Sequence, residues 1–146
     1  MLCDKVNDPG NMGTIIRICD AVGCSLLLMR DTVDIYNPKT VRASMGSFFH
    51  TKVTGGLTLE DVCELKNKGY TIISGALSDN TIDYREIPKE GKRIIVVGNE
   101  ANGISDEILE ISDICAKIPI WGGAESLNVG VASSLLLYEA RRNRKN

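Results

Sequence analysis

The sequence predicts an α/β fold in which a mostly parallel sheet carries helices on both faces. Strand-like and helix-like segments alternate along the whole chain, which is typical of consecutive βαβ units. The segment Arg93–Val97 is rich in β-branched residues and has no polar alternation, as expected for a strand buried on both faces. With 146 residues, 43% hydrophobic and 25% charged, the chain has the size and composition of one domain over 1–146.

The first half of the chain is predicted to contain three strands and three helices. Residues 2–6 form a short strand and Asp8-Pro9-Gly10 a turn, after which Asn11 caps a helix that ends at Val22, before Gly23. The elements that follow are a strand over 25–29, a helix over 38–45 with Pro38 in its first turn, a strand over 48–53 and a helix over 58–68 closed by Gly69.

The second half continues the alternation. Its predicted elements are a strand over 70–74, a turn at Ser78-Asp79-Asn80, an irregular segment over 82–87, a strand over 93–97, a helix from the cap Ser105 to Ile111, a strand over 115–118 and a long helix over 128–142. On the last helix, Val131, Leu135 and Tyr138 share one stripe. The row of apolar residues around Leu136 fits burial against both the sheet and a second subunit, or full burial within one chain.

Charge and cysteine content exclude some classes of protein. The formal net charge of −2 argues against a protein that holds nucleic acid through bulk charge alone, although a local basic face stays open. The candidates for such a face are Arg17, Arg30, Lys39 and Arg42 in the first third of the chain, and Arg141, Arg142, Arg144 and Lys145 at its C-terminal end. The C-terminal group is also explained as the solvated end of a helix, where positive charge is favourable.

Five scattered cysteines without a C-x-x-C pair are expected to be reduced thiols, which predicts a cytoplasmic protein. His50 is the only histidine, so we expect no metal site. No apolar run approaches the roughly 20 residues of a membrane span, and no secretory signal is visible.

Three polar segments are expected to meet in one crevice. The turn Asn7–Asn11 opens the first helix, Gly98–Gly103 follows a buried strand, and Ser126–Asn128 precedes the last helix. Loops of this kind converge at the carboxyl edge of an open parallel sheet, where such sheets bind ligands. The segment at Gly98 is not G-x-G-x-x-G and lacks a phosphate-binding lysine, so the dinucleotide and P-loop fingerprints both fail.

Each segment has a plain structural explanation as well as a functional one. Arg17 lies off the apolar face of the first helix, and Gly13 leaves room for its guanidinium to fold back toward Asn11, where it would bind phosphate. A surface arginine on an amphipathic helix explains the same position. Glu100 alone is explained by helix capping, as are Ser126 and Asn128.

The residues of these segments and their order along the chain resemble those of a known protein family, and the resemblance covers essentially the whole chain. The runs NDPGNMGTIIRICDA, VVGNEANGIS and IPIWGGAESLNVGVASSLLLYEA, with Arg42-x-Ser44-x-Gly46 as a fourth match, closely resemble the SpoU/TrmH family of RNA ribose 2′-O-methyltransferases in the SPOUT superfamily. The resemblance implies an α/β sheet whose C-terminal segment forms a trefoil knot that holds S-adenosylmethionine. It also implies a homodimer with the site at or near the subunit interface.

The resemblance also assigns roles to individual residues. It places Arg17, Asn11, Glu100, Ser126 and Asn128 at catalytic and substrate-binding positions, Ala76, Gly98, Ile118 and Leu127 at cofactor contacts, and Arg17 and Arg42 at RNA contacts. Ala101 stands where many members of the family have glycine, while Glu100 and Gly103 beside it match the family pattern.

The implied chemistry suits these residue types. A guanidinium is a poor base, so we expect Arg17 to bind the phosphate next to the reacting ribose, with that phosphate helping to accept the proton. Glu100 would hold Arg17 or Asn11 through a charge-assisted hydrogen bond.

The expected activity is methylation of a ribose 2′-hydroxyl in structured rRNA or tRNA. Two alternatives stay open, a non-catalytic RNA- or cofactor-binding module that retains the fold and a generic nucleotide-binding domain. In many relatives an added N-terminal domain helps to choose the RNA. The chain is therefore either part of a longer protein or recognises RNA, most readily an unpaired loop, with this domain alone.

Overall fold

Strands and helices alternate along the computed structural model, which describes residues 1–77 and 81–142. Within these ranges the strands are β1 (Leu2–Cys3), β2 (Leu26–Met29), β3 (Val53–Leu57), β4 (Tyr70–Gly75), β5 (Ile82–Asp83), β6 (Lys92–Val97) and β7 (Ile114–Lys117). The helices are α1 (Pro9–Val22), α2 (Pro38–Ala43), α3 (Leu59–Asn67), α4 (Asp106–Ile111) and α5 (Val129–Arg141), with 3₁₀ turns at Ser47–Phe49 and Tyr84–Glu86.

The described strands form one sheet in the order β3-β2-β1-β6-β4-β7-β5, and every pairing is parallel. The α/β class with a parallel sheet is therefore confirmed. The longest ladder joins β4 and β6, from Tyr70 opposite Lys92 to Ser74 opposite Val96. Because all strands run the same way, their carboxyl ends share one edge, and the loops that follow them lie together.

Successive residues of β6 point into two separate cores, one on each face of the sheet. Ile95 and Val97 pack with the buried residues of α1 and α5, whereas Ile94 and Val96 pack with those of α3 and α4. This is why the segment shows no polar alternation: both faces are covered, and each residue buries its side chain whichever way it points.

Helix α1 ends as the sequence predicts, at a glycine in the left-handed conformation. Gly23 has φ 65°, and its N–H donates to the carbonyl of Asp20 at 3.0 Å. The N–H of Cys24 donates to the carbonyl of Cys19 at 2.9 Å. These two bonds make a Schellman motif, in which the residue after the glycine lies against the residue five positions before it.

Several element predictions were wrong in extent or kind. The first strand ends at Cys3 rather than Val6. Residues 48–53 are not a strand: Gly46, with φ 91°, turns the chain into a 3₁₀ turn, and β3 begins only at Val53. The irregular stretch after Thr81 contains the edge strand β5. The predicted turn at 78–80 and the residues after Arg142 lie outside the described ranges.

The predicted stripe on α5 is exposed rather than buried. Leu136, Leu137 and Ala140 face the core, while Val131 and Tyr138 keep 49% and 57% of their surface accessible. Helix α5 lies beside α1, with Gly130 against Thr14 and Arg141 near Gly23. The two helices therefore run in the same direction and present one joint outer face. None of the helices described is long and apolar enough to cross a membrane.

Candidate active site

A cavity of about 640 Å³ opens at the carboxyl ends of β4, β6 and β7. Its walls come from the segments after these strands and from the beginnings of α1 and α5. Of the predicted site residues, Asn11, Ala76, Gly98, Glu100, Ile118, Ser126, Leu127 and Asn128 line this cavity. Segments separated by more than a hundred residues thus meet in one crevice, as the sequence predicts.

A chain of side-chain hydrogen bonds joins the three polar segments. The Nδ2 group of Asn11 donates to Oε1 of Glu100 at 3.1 Å, and Nδ2 of Asn128 donates to Oδ1 of Asn11 at 2.8 Å. The Oδ1 atom of Asn128 in turn accepts from the backbone N–H of Gly130 at 2.9 Å and caps α5. The amide of Asn11 therefore lies between a carboxylate and a helix N-terminus.

The cap of α1 is Asp8, which corrects the prediction that Asn11 caps this helix. The carboxylate Oδ1 of Asp8 accepts from the backbone N–H of Asn11 at 2.7 Å, and Pro9 occupies the first helical position. Since a proline there costs no hydrogen bond, the helix begins three residues earlier than expected. This earlier start leaves the Asn11 side chain inside the first turn, free to bond across the crevice.

Glu100 is held by three donors and stays ionised. Its Oε1 accepts from the backbone N–H of Asp8 at 3.1 Å as well as from Asn11, and its Oε2 accepts from the N–H of Asn7 at 3.2 Å. Burial alone raises the pKa of Glu100, but these hydrogen bonds outweigh it and bring the pKa below its ordinary value. Of the two partners predicted for Glu100, the structure shows a hydrogen bond with Asn11 and none with Arg17.

The loop after β6 folds back so tightly that Gly98 has no room for a side chain. A Cβ atom on Gly98 would lie 2.1 Å from the carbonyl carbon of Gly103. The N–H of Asn99 donates to the carbonyl of Gly103 at 2.8 Å, and the N–H of Gly103 donates back at 2.9 Å. The resemblance assigns Gly98 to a cofactor contact, and the backbone of its own loop independently requires a glycine at this position.

Arg17 and Arg42 do not line the cavity. Arg17 is exposed on the outer face of α1 and has no hydrogen bond or ion pair within the described ranges. The prediction that Gly13 gives its guanidinium room to fold back toward Asn11 was wrong. Gly13 faces α2 instead, where an added Cβ would lie 2.4 Å from the Cβ of Ala43. The glycine serves the close packing of α1 and α2.

Two further residues shape the crevice and were not predicted. Asn99 donates from Nδ2 to the carbonyl of Lys5 at 2.9 Å and accepts from the N–H of Ala101 at 2.9 Å, so it fastens the loop to the end of β1. Asp4 is buried and accepts at Oδ2 from the N–H of Ser105 at 2.7 Å. Ser105 precedes α4 as predicted, but its own side chain makes no capping bond.

A local signal for Asn99 existed, since asparagine after a strand often bonds backbone groups two or three residues on. Nothing local identified Asp4, because its partner is 101 residues away. No group of three metal-binding side chains occurs in the part of the chain that the structure describes.

Fold and crevice together define an open, parallel α/β protein with a crevice at the carboxyl edge of the sheet, the edge at which such sheets bind ligands. The profile of the SpoU rRNA Methylase family matches residues 1–138. The chain therefore belongs to the SpoU rRNA methylase family.

Named relatives are similar over almost all of this chain. It is 42% identical over 142 residues to the 23S rRNA (guanosine(2553)-2′-O)-methyltransferase RlmP of Bacillus subtilis, covering 97% of this chain and 57% of the relative. It is 36% identical over 148 residues to the tRNA (guanosine(18)-2′-O)-methyltransferase of Aquifex aeolicus, covering 99% and 69%. The chain thus spans little more than half of the Bacillus subtilis protein.

A solved structure shares the fold closely. The AdoMet-bound rRNA methyltransferase from Sinorhizobium meliloti superposes with a TM-score of 0.92 at 36% identity, covering 99% of this chain and 56% of that one.

Proposed function

We propose that this chain is the catalytic domain of an S-adenosylmethionine-dependent RNA methyltransferase that modifies a ribose 2′-hydroxyl in structured rRNA or tRNA. The observation that carries the proposal is the hydrogen-bonded chain from Glu100 through Asn11 to Asn128 along the wall of the crevice. The activities named for the Bacillus subtilis and Aquifex aeolicus relatives support both the reaction and the two classes of RNA.

The crevice fits the cofactor in size and in chemistry. Its volume lies within the range of about 300–1,000 Å³ that small-molecule sites occupy. Ile118 and Leu127 supply apolar contacts for a flat base, while Ala76 and Gly98 bring backbone groups to the same space. S-Adenosylmethionine, when bound, supplies a methyl group on a positively charged sulfur, and these four residues would hold it.

The residues of the polar chain are positioning residues in this proposal. Both polar atoms of the Asn11 side chain are already bonded, so Asn11 sets the distance between the loop at Glu100 and the start of α5. Ser126 lines the crevice with a hydroxyl that has no partner within the described ranges, so it is available to a ribose. Correct placement of reacting groups supplies roughly 7–11 kcal/mol of a reaction barrier.

Arg17 lies on the outer face that α1 and α5 share, and in this proposal it binds the RNA substrate from there. We assign to its guanidinium the phosphate next to the reacting ribose, which it can bind through two parallel hydrogen bonds. Arg42, exposed at the end of α2, would bind a further phosphate of the same RNA. The proton of the 2′-hydroxyl then passes toward the phosphate held by Arg17, because the guanidinium itself does not accept it.

The same face supports a homodimer. Val131, Leu135 and Tyr138 leave an apolar strip exposed on α5, and Arg17 lies on the neighbouring surface of α1. Pairing of this face with a second copy would bury the strip and bring Arg17 toward the crevice of the other subunit. Sedimentation of the wild-type chain and of Leu135→Glu tests this part: a monomeric wild type would overturn it.

We further propose the trefoil knot and a cytoplasmic location. The strand order sets β4 between β6 and β7, so the chain passes over β4 before α5 returns to pack on α1, which supports a threaded C-terminal segment. Free thiols at all five cysteines support a reducing compartment. Of the two alternatives left open by the sequence, the greater length of the relatives supports a longer protein with an additional RNA-binding domain.

Methyl transfer tests the function directly. Radiolabelled S-adenosylmethionine is incubated with the chain and either rRNA or tRNA lacking 2′-O-methylation, and calorimetry measures cofactor binding separately. We expect Arg17→Ala to abolish transfer while the Kd for S-adenosylmethionine stays within about twofold. Arg85→Ala is the matched control, since it removes an exposed arginine away from the crevice.

Cofactor binding by the wild type without transfer to any RNA would favour the non-catalytic binding module. Absence of cofactor binding would refute the methyltransferase altogether. Equal loss of binding and transfer in Arg17→Ala would contradict the role given to Arg17.

A further inference from the structure

The carboxyl end of α1 brings two cysteines together. Cys19 and Cys24 occupy the two positions of the Schellman motif whose side chains normally touch. Two apolar residues frequently make this contact, but here both positions are cysteines. The backbone bond from the Cys24 N–H to the Cys19 carbonyl, at 2.9 Å, holds the two residues side by side at the end of the helix.

The two thiols differ in accessibility and in charge environment. Cys19 is fully buried in the core, whereas Cys24 is only partly buried and lines a small surface cavity of about 90 Å³. Arg93 and Arg141 line the same cavity, and the guanidinium of Arg141 reaches within 3.7 Å of the place where a Cβ on Gly23 would be. The accessible thiol therefore lies among cationic groups.

These surroundings favour a thiolate at Cys24. Hydrogen bonding by the neighbouring Cys19 thiol lowers the pKa of the Cys24 thiol to about 6; burial opposes the shift, and Arg141 adds to it. The same hydrogen bond, together with burial, raises the pKa of Cys19 well above its ordinary value. One thiol is thus set to react first while its neighbour stays protonated.

We propose that Cys24 and Cys19 form a thiol-modification site that takes hydroperoxides and closes to an intramolecular disulfide. The Cys24 thiolate attacks one peroxide oxygen, the O–O bond breaks, and Cys24 becomes a sulfenic acid while water or an alcohol leaves. The Cys19 thiol then attacks the Cys24 sulfur, the S–O bond breaks, and water leaves. The peroxide is reduced by two electrons and the two thiols are oxidised by two.

The site is separate from the crevice and does not rest on the proposed function. Helix α1 has 14 residues and is therefore about 21 Å long, with Asn11 at its beginning and the dithiol at its end. Cys63 and Cys115 are also partly buried, yet neither side chain has a hydrogen bond within the described ranges. They serve as references within the same molecule.

Peptide mapping after peroxide treatment tests the disulfide. Both cysteines lie in one tryptic peptide, residues 18–30, so the disulfide is detected as the loss of two hydrogen atoms from that peptide. The intact, reduced chain is exposed to a few equivalents of hydrogen peroxide at pH 7. We expect this product to form before oxidation of Cys63 or Cys115, and Cys115→Ser to behave like the wild type.

In Cys19→Ser the disulfide cannot close, so a 1,3-diketone probe should label a sulfenic acid at Cys24. Faster oxidation of Cys63 or Cys115, or absence of the disulfide in the wild type, would overturn the proposal.

A pH profile on the wild type keeps the test independent of any variant that fails to fold. Iodoacetamide reacts with thiolates, so the rate at Cys24 should reach half of its plateau near pH 6, compared with about 8.5 for an ordinary thiol. The charged and titratable side chains around Cys24 are Cys3 on β1, Cys19 on α1, Arg93 on β6 and Arg141 on α5.

Near neutral pH these values correspond to a thiolate fraction roughly 30-fold above that of an ordinary cysteine. Arg141→Gln should move the midpoint upward. A midpoint at pH 8 or above in the wild type would refute the assignment of Cys24 as the reactive thiol.

Discussion

Replacing Asn11 by aspartate is the most direct test of how the crevice is held together. The Nδ2 group of Asn11 donates to Glu100 at 3.1 Å, so Asn11→Asp replaces a donor by an oxygen and places two carboxylates against each other. At this separation two like charges repel by about 1 kcal/mol in water and by about 5 kcal/mol at an effective dielectric constant of 20. Since Glu100 is exposed to solvent, the low end of this range applies.

Adding the lost hydrogen bond, worth about 1 kcal/mol, we expect Asn11→Asp to lower the free energy of unfolding by about 2–3 kcal/mol at pH 7. The cost has a defined pH dependence. In the folded variant the paired carboxylates raise each other's pKa, so the folded state binds a proton more readily than the unfolded one. Stability relative to the wild type is therefore lost above this raised pKa and returns as the pH falls through it.

Urea unfolding at pH 7 and at pH 4 measures both effects. Asn102→Asp is the matched control, because it adds the same charge to the same loop at a side chain without a hydrogen bond in the described ranges. If the two variants lose equal stability at pH 7, or if the loss in Asn11→Asp does not change with pH, the bond to Glu100 does not hold the crevice.

Two further substitutions test close packing, and a third tests an ion pair. Gly98→Ala should weaken binding of S-adenosylmethionine by at least tenfold in calorimetry, because a Cβ there lies 2.1 Å from the backbone of its own loop. Gly13→Ala should lower the free energy of unfolding by about 1–3 kcal/mol in urea titrations, since it forces α1 away from Ala43 of α2. Asp113→Asn should cost about 0.5–1 kcal/mol at pH 7 through its 2.8 Å ion pair with Lys66, discounted for its partly exposed position. Burial raises the pKa of Asp113, but Lys66 and a backbone N–H outweigh it and lower the pKa, so this cost should vanish in acid, as the carboxyl protonates.

Gly122→Ala is the control for both glycine variants, because nothing lies within 4 Å of a Cβ at that position. Unchanged cofactor binding in Gly98→Ala, or unchanged stability in Gly13→Ala, would contradict the close contacts described here. For Asp113→Asn, an equal loss of stability at pH 7 and at pH 2 would show that the charge contributes nothing.

Local signals were sufficient for elements whose ends are defined by short-range hydrogen bonds. Thr58 and Asp61 form a reciprocal capping box, and the helix that follows was predicted within one residue at each end. Asn128 caps α5 in the same local manner. At α1 the sequence indicated Asn11 as the cap, whereas Asp8, three residues earlier, caps the helix.

The remaining differences come from contacts that are distant along the chain. Residues 48–53 include aromatic and β-branched side chains that favour a strand, but the backbone turn at Gly46 overrides that preference. Gly13 looked like space for Arg17 because α2 could not be placed beside α1 from the sequence. The strand order, with β4 between β6 and β7, is likewise a property of the whole chain.

The bonds of Asn11 reach 89 residues forward to Glu100 and 117 residues forward to Asn128. A partly synthesised chain that ends before Asn128 therefore cannot form the crevice, even if its early strands have paired. Such distant closures are slow to form, and a small molecule that needs all three segments stabilises only the finished chain.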